Sequence, residues 1–416
     1  MTALTDTHSP DALLRYALLT EEGRKDPYAP LAALHAQGSA ARVSLGFVAV
    51  WGYDAVEQVL RLPAQWKSHP DYEFSTPYLP LDEDQVAQLK AASGDLPPWL
   101  VFSNPPYHTR VRGLVSRAFT PRRMEAMRDS ISAEVDRLLD EMDPTAPADI
   151  VTGLTAPLPQ HAIGEILGLS VDDAESFVRH ARVQSQLKDP ASTFADKIDG
   201  MRDRGRWADE IRELIGDRRG SGRDDVITAL LEAEKEGDRL TEPEMISLVM
   251  LLFAAGFDTS NNMLSNGIHA LLRHPDEFAL LKADPSLARA VTNEVLRYDT
   301  PGFDTFYYTV GAHEVAGLEL APGTPVMLFL GIANHDPRVY QNPTEFRIQR
   351  NERPPLSFGA GAHLCLGINL ARIEGEVVYE ALARRYPDLT LADEEPRRVP
   401  GVEFRGFETM KVVLQL

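Results

Sequence analysis

Apolar residues recur at helical spacing along most of this chain, and that period limits its fold more than any other feature. In the segment 124–142, for example, Ile131, Val135 and Leu138 share one helical face. The same spacing predicts helices in five further segments, which are Ala208–Ile215, Asp224–Ala233, Glu242–Leu272, Pro285–Tyr298 and Leu366–Tyr386. Such a chain is expected to bury the apolar stripes of its helices against one another.

Strand signals are fewer and shorter. Alternating apolar residues predict a strand pair in Ala41–Val50 and single strands in Glu314–Gly317, Pro325–Leu330 and Met410–Leu416. The segment Asp336–Pro355 has several turn residues and no clean period, which indicates a long irregular loop. We find no internal repeat and no Gly/Ser linker. The fold class expected is therefore mainly α with small β-sheets, in a single domain over 1–416, with 1–25 a loosely ordered N-terminal segment.

Charge and apolar runs exclude several classes of function. The net charge is −20 over 416 residues, which disfavours binding to nucleic acid or to an anionic membrane. The N-terminal residues 1–11 contain no basic stretch followed by an apolar one, so no secretory signal is expected. The longest apolar run, Ile246–Phe257, is too short to span a bilayer. We expect a cytoplasmic monomer that binds no nucleic acid and no membrane.

The chain contains one cysteine, Cys365, so no intramolecular disulfide is possible. It lies in the segment Phe-Gly-Ala-Gly-Ala-His-Leu-Cys-Leu-Gly, residues 358–367, immediately before a predicted apolar helix. The two glycines allow a tight turn, and the helix start is expected to favour the thiolate over the thiol. One cysteine cannot form a zinc-thiolate cluster. The segment therefore predicts a single thiolate ligand for another metal, against the alternative of an inert buried thiol.

This segment resembles the haem-binding signature of the cytochrome P450 superfamily, in which Phe, Gly, Gly, His or Arg, Cys and Gly occupy fixed positions. The matching residues are Phe358, Gly359, Gly361, His363, Cys365 and Gly367. The resemblance extends from about residue 26 to the C-terminus. It implies a triangular, prism-like domain with a buried haem b, in which Cys365 is the axial ligand of the iron.

A Glu-x-x-Arg element supports the resemblance. Glu294 and Arg297 lie three residues apart on one helical face, where opposite charges can pair. In the family this pair is buried and holds the loop that precedes the cysteine, and Arg350 occupies the place of its usual third partner. Alone, such a spacing is more typical of a solvated ion pair.

The predicted helix 242–272 carries Ala255, Gly256, Asp258 and Thr259, which are similar to the family's oxygen-binding stretch. A glycine lets oxygen approach the helix backbone, and a threonine can hydrogen-bond to the carbonyl four residues earlier. An alcohol beside an acid can relay protons, as general acid catalysis requires. The resemblance makes these four residues the candidate catalytic group; the alternative is an ordinary Asp-Thr pair on a wet face.

Haem carboxylates need cationic or hydrogen-bonding partners. His108 and Arg112, four residues apart, resemble the family's propionate-binding pair, and His363 is a third such residue. The sequence departs from the family at Tyr307, where many relatives carry a propionate-binding arginine, and at His335, where an arginine is also more usual. A phenol can donate a hydrogen bond but cannot neutralise charge.

The resemblance implies a monooxygenase that uses O2 as co-substrate. It also implies electrons from NAD(P)H by way of a ferredoxin reductase and a ferredoxin. A docking patch for the ferredoxin is expected from five arginines, namely Arg110, Arg117, Arg122, Arg123 and Arg372. Docking between opposite charges would be salt-sensitive.

Position in the family pattern also suggests a substrate pocket, in part from the segment between Trp66 and Phe102. The candidate lining residues are Phe102, Phe253, Phe257, Phe303, Asp304, Phe306, Phe404 and Phe407. This set predicts a small apolar or aromatic, natural-product-like substrate, and Asp304 would pair with a substrate cation. Several of these side chains could equally be plain core.

Two other functions remain open. One is a haem protein that binds or senses a ligand without turnover, and the other is a haem-thiolate enzyme that uses hydrogen peroxide directly. The pair Asp258 and Thr259 argues against both, because neither function needs a proton relay.

Overall fold

The computed structural model describes residues 8–62, 66–67, 81–94, 96–187, 192–232, 239–392, 395–401 and 403–415. The α-helices of these residues are α1 (Pro10–Leu19), α2 (Glu21–Lys25), α3 (Tyr28–Leu31), α4 (Tyr53–Arg61), α5 (Glu83–Ser93), α6 (Tyr107–Val115), α7 (Pro121–Glu125), α8 (Arg128–Glu141), α9 (Pro157–Leu167), α10 (Val171–Gln186), α11 (Phe194–Arg218), α12 (Val226–Glu232), α13 (Glu242–Arg273), α14 (Pro275–Ala283), α15 (Ala288–Tyr298), α16 (Leu330–Ala333) and α17 (Ile368–Arg385). Every helix expected from the apolar period is present. The segment 124–142 is divided between α7 and α8, and Ala233 lies outside the described residues.

The strands are short and form four small sheets. They are β1 (Ala40–Arg42), β2 (Val48–Val50), β3 (Trp66–Lys67), β4 (Ala148–Asp149), β5 (Asp304–Thr309), β6 (His313–Val315), β7 (Leu318–Leu320), β8 (Pro325–Phe329), β9 (Thr390–Leu391), β10 (Arg397–Arg398), β11 (Phe407–Thr409) and β12 (Lys411–Val413). The largest sheet has the order β1-β2-β8-β5-β3, in which only β2 and β8 run parallel. The expectation of a mainly α fold with small sheets is confirmed.

Helix α13 is the central element. It begins with a capping box, in which Thr241 accepts from the Glu244 backbone N–H and Glu244 accepts from that of Thr241. It packs against α9, α10, α11, α15 and α17. Within the described part of the chain it is also the single helix long and apolar enough to cross a bilayer, but most of its apolar window is buried against these neighbours. Burial against five helices explains why most of the residues of α13 are apolar.

The N-terminal segment is more ordered than the sequence suggests. Residues 1–7 lie outside the described residues, but α1 and α2 follow directly, and the Ser9 side chain caps α1. Leu14 and Leu18 of α1 are buried in a cluster that includes Trp51 and Phe303. The expectation of a loosely ordered segment 1–25 is therefore wrong for residues 8–25, because the apolar face of α1 is covered by distant parts of the chain.

Candidate active site

Backbone hydrogen bonds hold the loop of residues 358–367 in a tight turn. The N–H of Cys365 donates to the carbonyl of Phe358 at 2.9 Å, and that of Gly359 donates to Leu356 at 2.7 Å. Gly359 and Gly361 both have a φ of 68°, a conformation that side chains disfavour. At Gly361, a Cβ would also lie 2.3 Å from the carbonyl oxygen of Leu60 in α4. Both glycines are therefore required by the turn that presents Cys365.

Cys365 lies three residues before the first residue of α17, and its thiol lines a cavity of about 310 Å³. Burial raises the pKa of the thiol, and the backbone N–H groups of Gly367 and Ile368 together with the charge of Arg112 only partly oppose that effect. The N–H groups at the helix start thus favour the thiolate, but burial outweighs their effect. A bound metal cation is the group that would stabilise the ionised form.

The middle of α13 also lines this cavity, with Ala255, Gly256 and Thr259. The Thr259 hydroxyl donates to the Ala255 carbonyl, four residues earlier in the helix, at 2.5 Å. A Cβ at Gly256 would lie 3.3 Å from Ile163 of α9, so this glycine also permits close helix packing. Three of the four candidate catalytic residues thus face the same cavity as the thiol.

Asp258 faces elsewhere. It lines a second cavity, of about 620 Å³, whose walls include Arg182 and Ser185 of α10. The Ser185 hydroxyl donates to the Asp258 carboxylate. Burial raises the pKa of Asp258, while that hydrogen bond and the charge of Arg182 oppose the rise. The acid and the alcohol, adjacent in sequence, therefore reach two cavities on different sides of α13.

The candidate propionate-binding residues gather at the Cys365 cavity. His108, Arg112 and His363 all line it, and the rings of His108 and His363 lie 4.2 Å apart between centroids. Arg112 donates to the carbonyl oxygen of Leu364. The buried Nε2 of His108 has no hydrogen-bond partner among the described residues, so its side chain is available to a ligand. Burial is the main cause that lowers the pKa of His363 to about 4.

Tyr307 and His335 are placed differently from each other. Tyr307, on β5, lies edge-on to His363 with 6.4 Å between ring centroids, and burial raises its pKa to about 12. It remains a neutral phenol beside the cavity. His335 is buried away from it. The centroid of its ring lies 4.4 Å from that of Tyr28, and its Nδ1 donates to the Gly331 carbonyl at 3.0 Å. His335 thus packs within the core and has no contact with the propionate-binding group.

Glu294 and Arg297 form a buried ion pair with two contacts, of 2.7 and 2.8 Å. The Nε of Arg350 adds a third contact, 2.9 Å from Glu294. Arg297 also donates to the carbonyls of Pro343 and Glu345, at 2.7 and 2.9 Å. These hydrogen bonds attach α15 to the irregular segment 336–355, so the three charged residues fix a loop that has no regular backbone pairing of its own.

Asn334 is a structural residue that the sequence reasoning did not single out. Its side chain donates to the hydroxyls of Ser357 and Thr300, at 2.8 and 2.9 Å, and accepts from the Leu356 N–H at 2.8 Å. It therefore joins the start of the cysteine loop to Thr300, which lies two residues after the end of α15. No local pattern marks this role, because its partners lie 22 to 34 residues away.

The residues of the expected aromatic pocket are divided between the second cavity and the core. Phe257, Phe404 and Phe407 line the second cavity, not the one that contains Cys365. The lining of neither cavity includes Phe102, Phe253, Phe303, Asp304 or Phe306, all of which are buried among core side chains. Phe253, for example, packs in an aromatic cluster with Phe177 and Trp207. Residues 68–80, part of the expected lining segment, lie outside the described residues.

Aliphatic side chains supply much of the lining of the Cys365 cavity. They come from α13, from the segment before α6 and from the segment before β5, and they are Leu248, Leu251, Leu252, Leu100, Val101 and Pro301. Phe119, between α6 and α7, adds one aromatic ring. Branched aliphatic residues on a helix face have the same period in a cavity wall as in a core, so the sequence alone does not distinguish the two.

The expected basic patch is smaller than its sequence suggests. Arg110 is paired with Glu244, and Arg123 contacts Asp224 at 3.0 Å. Arg372 lies 5.6 Å from the ring of Phe358, beside the cysteine loop. Arg117 and Arg122 are exposed. Two of the five positive charges are thus matched by acids within the protein.

Glu374, on α17, is a buried acid that the sequence reasoning missed. It is fully buried, and its Oε2 accepts from the hydroxyl of Ser260, a cavity-lining residue of α13, at 2.6 Å. Its Oε1 has no hydrogen-bond partner among the described residues. Burial raises the pKa of Glu374 to about 8, against the lowering effect of Ser260.

Glu374 is therefore expected to make the protein less stable as the pH rises. Between its ordinary pKa of 4.5 and the raised value of about 8, the folded state keeps a proton that the unfolded state releases. The free energy of unfolding should fall through this window by up to about 1.4 kcal/mol per pH unit. Urea unfolding of Glu374→Gln at pH 5 to 8 should lack this component. Glu376→Gln, two residues further along α17, is the control, and equal slopes in wild type and Glu374→Gln would contradict the assignment.

The cavity fits a haem. Its lining includes the thiol of Cys365 and the part of α13 in which the Thr259 hydroxyl bonds to the Ala255 carbonyl. It also includes a guanidinium and two imidazoles, one of them with an unpaired buried nitrogen, which are suitable partners for carboxylates. Thiolate ligation with a polar rim for propionates defines the class of haem-thiolate oxidoreductases.

Comparison with known proteins agrees. The family model for cytochrome P450 matches residues 208–401. The cytochrome P450 monooxygenase PikC of Streptomyces venezuelae is 34% identical over 96% of this chain and 94% of its own. The polyketide biosynthesis cytochrome P450 PksS of Bacillus subtilis is 36% identical over 74% of this chain and 76% of its own. The structure of P450BioI in complex with an acyl carrier protein ligated to hexadec-9Z-enoic acid covers 97% of this chain and all of its own at 31% identity, with a TM-score of 0.85. The chain belongs to the cytochrome P450 family and is a monooxygenase.

Proposed function

We propose that this protein binds a haem b through Cys365 and inserts one oxygen atom from O2 into a small, uncharged organic substrate. The observation that carries the proposal is that Cys365 and Thr259 line the same cavity. When bound, the haem supplies electron transfer and oxygen activation, and the thiolate ligand favours O–O cleavage.

The haem carboxylates are held by Arg112, His108 and His363. Arg112 supplies a full positive charge, and the free Nε2 of His108 supplies a hydrogen-bonding site. Tyr307 adds a phenol close to His363. Because Tyr307 carries no charge, this protein binds the two carboxylates with fewer cations than relatives that have an arginine there.

Two residues on different sides of α13, Thr259 and Asp258, carry protons to the Cys365 cavity. Thr259 holds a proton at Oγ inside the cavity, where its hydroxyl is bonded to the Ala255 carbonyl. Asp258 faces the second cavity, where burial raises the pKa of its carboxyl. We propose that Asp258 collects protons from the second cavity and that the Thr259 hydroxyl passes them on inside the Cys365 cavity.

Electrons come from NAD(P)H through a ferredoxin reductase and a ferredoxin, and the protein works in the cytoplasm. A docking site beside the cysteine loop is supported by the exposed Arg117 and Arg122 and by Arg372, which packs on Phe358. Opposite charges at such a site would increase the association rate.

The substrate is an apolar natural product of the kind made by polyketide biosynthesis. The name of PksS supports this class, and so do the aliphatic side chains of Leu248, Leu251 and Leu252 in the cavity wall. Burying a hydrocarbon surface against them would supply most of the binding free energy.

The test is reconstitution. The purified protein should contain haem, give the carbon monoxide spectrum of a thiolate-ligated iron when reduced, and consume O2 with NADPH, a bacterial ferredoxin and its reductase. Substrates are sought as compounds that shift the haem absorption. A thiolate spectrum without turnover of any binding compound would indicate a ligand-sensing protein. Turnover with hydrogen peroxide alone, and none with the electron donors, would indicate the peroxide-using class.

Thr259→Ala is expected to keep its haem and to lose coupling. Without the hydroxyl, no side chain passes protons from Asp258 into the Cys365 cavity. The amount of product formed per O2 consumed should therefore fall about tenfold, with hydrogen peroxide released instead. Oxygen uptake, peroxide and product are measured together on one identified substrate. Thr259→Ser is the control, because it keeps the hydroxyl, and tight coupling in the alanine variant would contradict the relay.

A further inference from the structure

A row of polar side chains attaches α10 to α11. Ser176, His180 and Gln184 are spaced by four residues, so they lie on one face of α10. The Ser176 hydroxyl donates to a carboxylate oxygen of Glu210 at 2.9 Å, and the Gln184 amide donates to the Gly200 carbonyl at 3.0 Å. Contacts between helices are usually made by apolar stripes. Here the hydrogen bonds of the polar row help to fix the position of α10 along α11.

His180, in the middle of the polar row, lies between two acids. Its Nδ1 is 2.8 Å from an oxygen of Asp203, and its Nε2 is 3.2 Å from an oxygen of Glu210. A neutral imidazole has one N–H, whereas an imidazolium has two. Both contacts are therefore hydrogen bonds only when the ring carries its second proton. Without that proton, a nitrogen lone pair faces one of the two carboxylates, and that contact is repulsive.

The faces of the His180 ring meet uncharged groups. His180 is 8% exposed, and its ring stacks on Trp207 of α11, with 5.7 Å between centroids and 13° between planes. On the side of α13, Phe253 packs edge-on to Trp207 and to Phe177 of α10. Water is therefore largely excluded from the ring, and the two carboxylates are the groups that respond to its charge.

The two acids differ in their other partners. Asp203 also accepts from Arg206 of α11 at 2.9 Å, whereas Glu210 has no second cation among the residues that the structure describes. On α10 itself, Arg179 is exposed and Arg182 lines the second cavity. The contact between α10 and Glu210 therefore depends on the charge of His180.

Helix α10 also carries the hydrogen-bond partner of Asp258. Ser185, which follows Gln184 of the polar row, donates its hydroxyl to the Asp258 carboxylate. Asp258 itself is held by α13, so a shift of α10 along α11 would move Ser185 relative to it. One helix thus connects the charge of His180 with the acid that lines the second cavity.

We propose that His180 is a positioning residue for proton delivery, and that it holds Ser185 at Asp258 only while its ring is protonated. The imidazolium satisfies Asp203 and Glu210 together and so keeps α10 in place along α11. When the ring loses its second proton, one acid repels it, α10 shifts, and the contact between Ser185 and Asp258 is lost. This proposal rests on the proposed function, because Asp258 acts here as the acid of the proposed proton relay.

Two substitutions with opposite expected effects test the charge of His180. His180→Gln is uncharged at every pH, so it should behave as the wild type does after losing the proton. Glu210→Gln supplies an amide that can donate to a neutral Nε2 or accept from a protonated one, so α10 should stay in place at either charge of the ring. Glu213→Gln is the matched control, because Glu213 is an exposed acid of the same helix α11. The control should behave as the wild type does.

The measurements are the protection of the α10 amides against hydrogen exchange and the product formed per O2 consumed, on the substrate used for Thr259→Ala. Both are made at pH 6 and at pH 8.5, on either side of the range in which histidine side chains usually change charge. At pH 6, both quantities should be about fivefold lower in His180→Gln than in the wild type, the effect of one lost hydrogen bond. Glu210→Gln should equal the wild type at this pH.

At pH 8.5 the order should change. His180→Gln should then equal the wild type, and Glu210→Gln should exceed both by about fivefold. Other titrating groups are common to all these proteins, so their effects cancel in the ratios to the wild type.

Ratios to the wild type that are the same at the two pH values would overturn the proposal, and so would lost protection of α10 without lost coupling. Glu210 is partly exposed, so Glu210→Gln decides the question alone if His180→Gln does not fold. If the wild type gave no thiolate-type carbon monoxide spectrum, or if Thr259→Ala stayed coupled, the proposed function itself would fail. Hydrogen exchange needs no turnover, so it would still decide whether the charge of His180 holds α10 in place.

Discussion

Replacing Cys365 by alanine is expected to abolish the carbon monoxide spectrum of a thiolate-ligated haem completely. Cys365 is the single cysteine of the chain, so no other thiolate is available to the iron. The loop around it is fixed by the bond from its N–H to the Phe358 carbonyl and by two glycines at a φ of 68°. Alanine suits this backbone, so the loop should persist without its sulfur.

The measurement is the difference spectrum of the reduced protein with and without carbon monoxide, together with haem content. Leu364→Ala is the matched control, because Leu364 precedes the cysteine in the same loop and its side chain is exposed. The control should keep the thiolate spectrum. A thiolate-type band in Cys365→Ala would show that the ligand is another group, and the assignment of the cavity would be lost.

Arg297→Met is expected to destabilise the fold by about 3–5 kcal/mol, the effect of removing one partner from a buried ion pair. Glu294 would remain buried with Arg350 as its remaining cationic partner. The carbonyls of Pro343 and Glu345 would also lose a donor, and the segment 336–355 would lose its attachment to α15. Haem content should fall as well, because this segment leads into the cysteine loop.

Urea unfolding and the ratio of haem to protein are the measurements. Arg289→Met is the matched control. Arg289 lies on the same helix, but its side chain is exposed, and its ion pair with Glu376 has the longer distance of 3.6 Å. An exposed pair of that kind contributes less than about 1 kcal/mol. Equal stability of the two variants would mean that the buried pair stabilises the fold no more than a surface contact does.

The local parts of the site could be predicted from the sequence. The apolar period predicted the position of α13 and of α17, and residues 358–367 predicted that Cys365 is a cavity residue and the candidate ligand. The pairing of Glu294 with Arg297 followed from a spacing of three residues. Each of these features depends on residues that are neighbours in the chain or on one helix turn, so a local pattern is sufficient to find it.

The lining of the cavities could not be predicted. Phe253 and Phe303 are aromatic residues of the kind found in pockets, but here they are buried in the core, while much of the lining of the Cys365 cavity is aliphatic. Asp258 and Thr259 are adjacent, yet successive residues of a helix point about 100° apart, and packing sends one to each cavity. The partners of Asp258 and of Ser260, namely Ser185 and Glu374, lie on other helices.

The sequence by itself determined the helical class, the candidate thiol ligand and the ion pair Glu294–Arg297, because each is encoded in short-range spacing. The tertiary structure decided which helix faces meet, and hence which cavity Asp258 lines and why burial raises the pKa of Glu374. Those properties depend on desolvation and on contacts between segments distant in the chain, and no short pattern carries that information.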